Sequence, residues 1–529
     1  SLGTVGLIGG AAVTTVSAPS VGTHSFTAVY GGDGNSAAST STATVATVAK
    51  GSTATTLTTS TAHTMPGGSV TLTVTLVAVT PLTGTPAGDV VFRDGATQIG
   101  TMTLAAGSAA LTTGALATGT HRFTAAYQGS NDHAASTSAT STVEVDPRTG
   151  SEFRANGATA GAQQLPAVAE LKAGGFVVAW SGLDGSAAGV LAQRYGRSGS
   201  KAGGEFRVNV AVAGSQSYPS IAGTADGGVA VAWVAATTNG KSAGLWAQRL
   251  SAAGARLGGA IRLDSTAGSK QSRPAVAMRR AGGFATTWIS NRPSGGSFDV
   301  YLRLTDAAGR TVGGELDVAS SALVALVSPP SIATLVNGSH VVVWAGASTA
   351  AAKPAIRGQR LTATGARTGA EFAVTGASFV QGEPSVAATA DGGFVVAWTS
   401  LGQDGSGKGV YAQRYTAAGV KAGTTFRVPT VTAGDQFEPA VATRPAGGFV
   451  VAWTSSGEDG SGRSVHARRF GATATPVDGG FRLSTETVGD QSQPALCRNG
   501  GNDFVAVWTS LGQDGSGAGI YGQRFSLSP

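Results

Sequence analysis

Aspartates in short glycine-rich turns are the residues of this sequence whose chemistry is easiest to name. The turn Asp-Gly-Ser-Gly begins at positions 404, 459 and 514, and a shorter copy begins at position 184. In a second set of turns, the aspartates at positions 435 and 490 precede glutamine. Calcium is bound by several oxygen ligands, including carboxylates and main-chain carbonyls. The candidate ligand or metal residues are therefore Asp184, Asp404, Asp435, Asp459, Asp490 and Asp514.

The same aspartates also have a simpler structural interpretation. Asp-Gly forms turns on its own, because the aspartate side chain bonds nearby backbone groups and glycine adopts left-handed conformations without strain. One aspartate per loop is also few for calcium, which takes about six to eight oxygen ligands. We therefore favour turn formation and keep calcium as the alternative, and the sequence indicates no other cofactor.

The sequence gives little support to catalysis. The histidines, at positions 24, 63, 121, 133, 340 and 466, share no spacing, and the HExxH and phosphate-loop patterns do not occur. Arginines and acidic residues recur from repeat to repeat, whereas catalytic residues usually break a repeat. The sequence therefore favours a protein that is not an enzyme.

The aspartate turns belong to a unit that occurs seven times. Each unit contains a segment like GGFVVAW, and the tryptophans that end these segments are 53 to 56 residues apart. A proline stands 14 residues before each tryptophan, and an arginine follows it. A fixed period of this length is typical of solenoids and propellers. The repeated residues are Trp180, Trp233, Trp288, Trp344, Trp398, Trp453, Trp508, and Arg194, Arg249, Arg303, Arg360, Arg414, Arg469, Arg524.

Each unit reads as four strands separated by turns. In the unit around Trp398, the residues of both faces of the second strand are apolar, which predicts a strand buried on both sides. Blades stacked around an axis bury both faces, whereas a solenoid of four-stranded units is the less favoured alternative. We predict an all-β chain with a seven-bladed propeller over residues 151–529, closed by residues 151–156 pairing with residues 519–525. Because strands alternate in direction, the aspartate turns should lie on one rim, mainly in blades five to seven.

The repeated tryptophans and arginines are interpreted as framework. We expect the indoles to pack between blades with their N–H groups bonded to backbone, because a buried indole usually finds an acceptor. We expect the arginines to tie strands together or to cap carbonyls of neighbouring strands.

Residues 1–146 are organised differently. Shifted by 97 positions, residues 1–48 match residues 98–145 without a gap, including His24 with His121 and Phe26 with Phe123. Residues 49–146 read as a complete immunoglobulin-like β-sandwich, with residues 1–48 as the C-terminal half of another and residues 147–150 as a linker. Half a sandwich exposes its inner face, so we expect its other strands to come from an upstream Ig-like segment or from another copy of the chain.

Two segments carry a resemblance to known families. HSFTAVYGGDGNSAASTS and HRFTAAYQGSNDHAASTS resemble the bacterial Ig-like repeats of large surface proteins. The segments GGFVVAWTSLGQDGSGKGVYAQRY and TAGDQ resemble repeat arrays of very large secreted bacterial proteins, often adhesins. The resemblance implies a stalk of Ig-like modules and a location outside the cell or on its surface, but it implies no activity.

Composition excludes several classes of function. The formal net charge is +7, and the basic residues form no cluster interleaved with aromatics, so we expect no nucleic-acid partner. No apolar run approaches the length needed to cross a bilayer, so we expect no membrane insertion. A single cysteine, Cys497, permits no internal disulfide and reads as a small buried apolar side chain.

Two functional hypotheses follow from these patterns. In the first, the chain is a non-enzymatic structural or adhesive protein, a subunit or tip of a bacterial surface fibre with an Ig-like stalk and a propeller head. It would assemble by strand complementation of the half module. In the alternative, the propeller is a lectin-like head that binds cell-surface glycans, with calcium assisting, on its loop rim.

Overall fold

The computed structural model describes residues 1–526 except 18, 65–67, 81–83, 118, 186, 211–213, 238–241, 266–270, 272, 292–297, 320–324, 348, 350–351, 446, 478 and 502. The chain divides into two compact units, Ser1–Asp146 and Pro147–Pro529. The described residues form strands and turns, and they contain no helix long and apolar enough to cross a membrane.

The first unit contains thirteen strands. The first four are β1 Gly22–Phe26, β2 Val29–Tyr30, β3 Ser39–Thr40 and β4 Thr44–Val48. The remaining nine are β5 Thr53–Thr59, β6 His63–Thr64, β7 Thr71–Ala78, β8 Asp89–Asp94, β9 Thr97–Thr103, β10 Ser108–Thr112, β11 Gly119–Tyr127, β12 Ser136–Thr137 and β13 Ser141–Val145.

Residues 53–145 form a two-layer sandwich. One sheet has the order β10-β7-β5, and the other has the order β6-β13-β11-β8-β9 with β12 beside β11. Every second residue of β7 is apolar, so Leu72, Val74 and Leu76 face the core and pack there with Phe92 and Phe123. This alternation is what a sheet with one buried face requires.

The described residues of 1–48 form two small antiparallel pairs of strands, β1 with β4 and β2 with β3. The equivalent of β1 and β2 in the complete sandwich is β11, which pairs with β13 on one edge and with β8 on the other. Apolar side chains that precede β1 in the chain are exposed, with Ile8 at 87% and Val13 at 82%. The half module therefore leaves both a strand edge and apolar surface uncovered in the described chain.

The second unit consists of seven four-stranded antiparallel sheets. Sheets 1 to 3 comprise β15 Gln164–Glu170, β16 Phe176–Leu183, β17 Ala188–Tyr195, β18 Phe206–Arg207; β19 Gln216–Gly223, β20 Val229–Ala236, β21 Ser242–Leu250, β22 Arg256–Arg262; and β23 Ala275–Met278, β24 Phe284–Asn291, β25 Phe298–Thr305, β26 Thr311–Asp317. Sheets 4 and 5 comprise β27 Ala325–Thr334, β28 His340–Ala347, β29 Ala355–Leu361, β30 Arg367–Ala373; and β31 Val380–Ala388, β32 Phe394–Leu401, β33 Lys408–Tyr415, β34 Lys421–Arg427.

Sheets 6 and 7 complete the set. Sheet 6 comprises β35 Gln436–Thr443, β36 Phe449–Ser456, β37 Arg463–Phe470 and β38 Phe481–Arg482. Sheet 7 comprises β39 Gln491–Arg498, β40 Asp503–Leu511 and β41 Ala518–Ser526, with its fourth strand supplied by β14 Arg148–Arg154. The first strand of each sheet contacts the first strand of the next, and β39 contacts β15, so the sheets form a closed ring. This is the architecture of a β-propeller.

The strand β14 closes the ring by pairing with β41. Phe153 lies opposite Gly522, and Arg148 lies opposite Phe525, with a bulge between the two stretches of pairing. Most of the predicted linker 147–150 is therefore strand, because the pairing with β41 continues past the bulge to Arg148. Phe153 also packs against Phe176 and Tyr195 of sheet 1, with ring centroids 5.9 and 4.9 Å away.

The repeated tryptophans are buried between neighbouring sheets. Trp233 of sheet 2, for example, packs with Val177 and Ala179 of sheet 1. Within the described part of the chain, the indole nitrogens of five of them have no hydrogen-bond partner, which differs from the expected bond to backbone: Trp180, Trp344, Trp398, Trp453 and Trp508. The reason is their apolar surroundings, since Trp180 lies among Val505, Val507 and Ile520.

The repeated arginines hold the strands and sheets together. The guanidinium of Arg194 donates to the carbonyl of Ala202 in its own sheet and to that of Ala252 in the next sheet. Arg414 instead pairs with Asp391, at 2.8 Å. Hydrogen bonds to backbone carbonyls and ion pairs thus stabilise the outer parts of the ring.

Candidate ligand-binding site

The aspartates of the Asp-Gly-Ser-Gly turns bond the backbone of their own turns. In Asp404, Asp459 and Asp514, Oδ1 accepts the N–H of the serine two residues later, at 3.1 to 3.2 Å. These bonds are the side-chain-to-backbone contacts that make aspartate a turn former. Asp184 accepts more weakly from the N–H of Ala187, at 3.5 Å.

Asp435 and Asp490 join adjacent sheets. Oδ1 of Asp435, in the turn before β35, accepts the backbone N–H of Lys408 in sheet 5 at 2.8 Å. Oδ1 of Asp490 accepts the N–H of Arg463 in sheet 6 at 3.0 Å. A Cβ on Gly407 would overlap Asp435 Oδ1, so this approach requires glycine in the turn. The structure therefore brings Asp435 beside the turn of Asp404, and Asp490 beside the turn of Asp459.

Cationic or amide groups of the protein lie close to three of these carboxylates. Asp459 Oδ2 lies 3.7 Å from a guanidinium nitrogen of Arg482, whose charge opposes a cation. Asp514 Oδ2 accepts from Asn156 at 3.4 Å, and Asp184 Oδ2 accepts from Asn209 at 3.3 Å. Nowhere in the described part of the chain do three His, Cys, Asp or Glu side chains come close enough to hold a metal ion. Turn formation stays the favoured interpretation of these aspartates, and calcium binding stays the alternative that titration tests.

A second site lies on the axis of the ring, and the sequence did not indicate it. The seven repeated prolines line one cavity of about 390 Å³ between the first strands of the sheets. Each proline is preceded by a residue that also lines the cavity, and these residues differ from sheet to sheet. In the order of the sheets they are Leu165, Tyr218, Arg273, Pro329, Glu383, Glu438 and Gln493.

The backbone at this ring is strained. Five of the seven residues before proline have left-handed φ angles of 53° to 59°: Leu165, Tyr218, Glu383, Glu438 and Gln493. A residue with a side chain pays roughly 1–2 kcal/mol for this conformation. The strain is distributed around the cavity, which is where binding sites often store it.

Hydrogen bonds between sheets hold this backbone in place. Glu383 Oε2 accepts the N–H of Glu438 at 2.9 Å, and Glu438 Oε2 accepts the N–H of Gln493 at 3.0 Å. Gln493 Oε1 in turn accepts the N–H of Leu165 at 3.1 Å. The side chain of Leu165 has no acceptor for the next N–H group, so the hydroxyl of Ser181 accepts the N–H of Tyr218 instead, at 3.1 Å.

Threonines support the same acceptors from within each sheet. The hydroxyls of Thr399, Thr454 and Thr509 donate to Glu383, Glu438 and Gln493, at 2.7 to 3.0 Å. Each of these threonines directly follows a repeated tryptophan. The cavity wall of sheets 5 to 7 is therefore a continuous set of hydrogen-bonded side chains.

The cavity is electrostatically polarised. Glu383 and Glu438 lie in adjacent sheets, whereas Arg273 lies in sheet 3 with its guanidinium 4.4 Å from the ring centroid of Tyr218. Burial raises the pKa of Glu438, and the nearby Glu383 charge raises it further. The hydrogen bonds from Gln493 and Thr454 oppose this rise. Acidic, basic, amide and aromatic groups thus converge on one concave site, as in small-molecule sites.

The cavity and the aspartate turns lie at the same end of the sheets. Gln381, at the start of β31, pairs with Ser400, at the end of β32, just before the turn that contains Asp404. One signal in the sequence could have indicated the cavity: the residue before each invariant proline of the repeat varies in chemical type. The turns that the sequence singled out therefore surround the end of the ring at which the cavity residues lie.

Comparisons with solved structures give low similarity over much of the chain. A crystal structure of a protein of unknown function from Dyadobacter fermentans DSM 18053 is 11% identical, with 72% of this chain and 99% of that chain covered and a TM-score of 0.45. The β-propeller domain of the Trilobed protease from Pyrococcus furiosus is 9% identical, with 71% and 97% covered and a TM-score of 0.42. The NanB sialidase from Streptococcus pneumoniae is 7% identical, with 87% and 83% covered and a TM-score of 0.39.

Sequence comparison identifies the first unit in part. No curated protein matches the chain. Residues 55–146, which lie within the predicted complete module, match the family of bacterial Ig-like domains, group 3.

Proposed function

We propose that this chain is a non-enzymatic adhesive protein of the bacterial surface or extracellular space. Ig-like modules would carry a binding head made of residues 147–529. In this proposal the seven sheets are the four-stranded blades of one seven-bladed propeller, closed by β14 and β41. The observation that carries the proposal is the axial cavity, where residues that break the repeat converge at a strained, hydrogen-bonded ring.

We propose a saccharide as the ligand of this cavity. Carboxylates, an amide and a guanidinium accept and donate hydrogen bonds to hydroxyl groups, and Tyr218 adds an aromatic ring to the wall. A cavity of about 390 Å³ lies within the range of small-molecule sites. The lectin-like function was predicted for the loop rim; in this proposal it lies on the axis instead, with the aspartate turns around it.

A glycan array probed with the full chain tests this proposal. We expect a limited set of related glycans to bind and Arg273→Met to weaken their binding, because this substitution removes the guanidinium and keeps most of the stem. A matched control is Arg310→Met, which changes an arginine of a turn in the same sheet, outside the cavity. If neither Arg273→Met nor Arg310→Met changed glycan binding, the ligand would bind outside the cavity.

Assembly through the half module is a second proposal. The edge of residues 26–30 that corresponds to the β8-paired edge of β11 has no strand beside it in the described chain. We propose that this edge pairs with a strand like β8 from an Ig-like segment or from another copy of the chain. A synthetic peptide of residues 86–104 should bind the full chain and suppress any self-association seen by sedimentation velocity. A peptide that neither binds nor changes the sedimentation profile contradicts the proposal.

A further inference from the structure

The two carboxylates of the axial cavity form no ion pair within the described part of the chain. Oε2 of Glu383 and Oε2 of Glu438 each accept two hydrogen bonds, one from a threonine hydroxyl and one from a backbone N–H. For neither glutamate does the described part of the chain record an ion pair or a bond to the other carboxylate oxygen, Oε1. Both glutamates are half-buried and line the cavity, so their carboxylates can contact a ligand that enters it.

Among the described residues, Arg273 and Arg463 form no ion pair with these carboxylates. The guanidinium of Arg273 lies over the ring of Tyr218, and that of Arg463 lies over the ring of Phe437, 5.4 Å from its centroid. Arg463 is only a minor influence on the pKa of Glu438, which burial and the charge of Glu383 raise. The charge of the glutamate wall is therefore left for a group from outside the protein.

We propose that the cavity selects a sugar that carries a free primary amine, with its ammonium group bound between Glu383 and Glu438. This inference rests on the proposed saccharide binding and specifies its ligand class. The sugar hydroxyls would then face Gln493 and the opposite wall, where Arg273 and Tyr218 lie. An N-acetylated or neutral sugar of the same shape would leave both carboxylates without a counter-charge, and its binding would be weaker.

A metal ion fits the glutamate wall less well than an ammonium group. The described residues place no third carboxylate, histidine or cysteine beside these two. Calcium takes about six to eight oxygen ligands, whereas an ammonium group is satisfied by about three acceptors. Two carboxylate oxygens and one sugar or amide oxygen provide that number.

Substitution by glutamine separates the charge of the wall from its structural role. Glu383→Gln and Glu438→Gln keep an acceptor for the threonine and for the next N–H group, as Gln493 does in sheet 7. These variants should therefore fold normally. Asp503→Asn is a matched control, since it removes a carboxylate on β40 that does not line the cavity.

Isothermal titration of the full chain with glucosamine, N-acetylglucosamine, glucose and methylamine tests the inference. We expect glucosamine to bind about 10- to 100-fold more tightly than the other two sugars, the range of a hydrogen bond to a charged group. The double variant Glu383→Gln/Glu438→Gln should lose this preference and Asp503→Asn should keep it. Methylamine should bind weakly and compete with glucosamine.

The outcomes separate this inference from the proposed function. Equal affinity for glucosamine and glucose would overturn amine selection and leave saccharide binding intact. Amine selection would also be overturned if calcium bound the parent with measurable heat and Glu383→Gln/Glu438→Gln abolished that heat, because the carboxylates would then hold a metal. Binding of methylamine with no binding of any saccharide would overturn the saccharide proposal itself.

Discussion

Glu438 joins sheets 6 and 7 at the axis, and its removal tests the hydrogen-bonded ring. In Glu438→Leu, Thr454 and the N–H of Gln493 lose their common acceptor. Sheet 1 shows how the protein responds to leucine at this position. There Leu165 precedes the proline, and Ser181, which occupies the position of Thr454, accepts the N–H of the next sheet. Thr454 should therefore turn its hydroxyl to accept the N–H of Gln493.

The loss in free energy of unfolding depends on which hydrogen-bond donor each substitution leaves unpaired. Glu438→Leu should cost about 1 kcal/mol, because one hydrogen bond is replaced and one is lost. Thr454→Val should also cost about 1 kcal/mol, since Glu438 still accepts from Gln493. The double variant leaves the N–H of Gln493 without an acceptor, which costs a further 1–3 kcal/mol or so. Glu438→Gln should stay within about 1 kcal/mol of the parent, because it keeps the acceptor.

Equilibrium urea unfolding followed by tryptophan fluorescence measures these differences. All eight tryptophans lie in the second unit, so the signal reports only on the ring of sheets. Additive effects of the two substitutions, within about 0.5 kcal/mol, would refute the rescue by Thr454. A double variant as stable as the parent would show that the ring of hydrogen bonds does not stabilise the propeller.

Four further predictions concern the rest of the chain. Burial and the charge of Arg279 lower the pKa of His340 to about 4, so the unfolded chain takes up a proton between pH 6.5 and 4 that the folded chain does not. Stability should therefore fall by about 3 kcal/mol as pH falls through this window. The variant His340→Phe, which installs the residue found in five of the other six repeats, should flatten urea midpoints measured against pH. Because burial raises the pKa of Cys497, Ellman's reagent should react with it only after unfolding. In calorimetric titration with calcium, the parent and the double variant Asp404→Asn/Asp459→Asn should give the same result. Binding heat that the parent shows and the variant lacks would show that the rim is a metal site. Phe153→Ala should lower the free energy of unfolding by about 2–4 kcal/mol, and an unchanged urea midpoint would contradict closure by β14.

The repeating part of the fold could be predicted from the sequence. The period of the tryptophans gave the number of units, and apolar residues on both faces of segments such as GGFVVAW indicated strands buried on both sides. Both signals come from short stretches of sequence, so they can be recognised without knowledge of the tertiary structure. The aspartate turns were also recognised, but their contacts between sheets were not, because the bond from Lys408 to Asp435 exists only when two sheets are adjacent.

The axial cavity could not be predicted from the sequence in the same way. The residues before the prolines follow no pattern of type, and their left-handed φ angles carry no sequence signal in residues such as Glu438 or Tyr218. Only closure of the ring brings seven positions, each about 54 residues from the next, to one point on the axis. A search for positions that vary beside an invariant residue of the repeat would have found them.

A crystal structure of the full chain soaked with glucosamine tests the central claim most directly. The account predicts difference density on the axis of the ring, with the amine between Glu383 and Glu438 and the hydroxyls toward Arg273. Density in the turns of Asp404, Asp459 or Asp514, with the axial cavity unchanged, would contradict it.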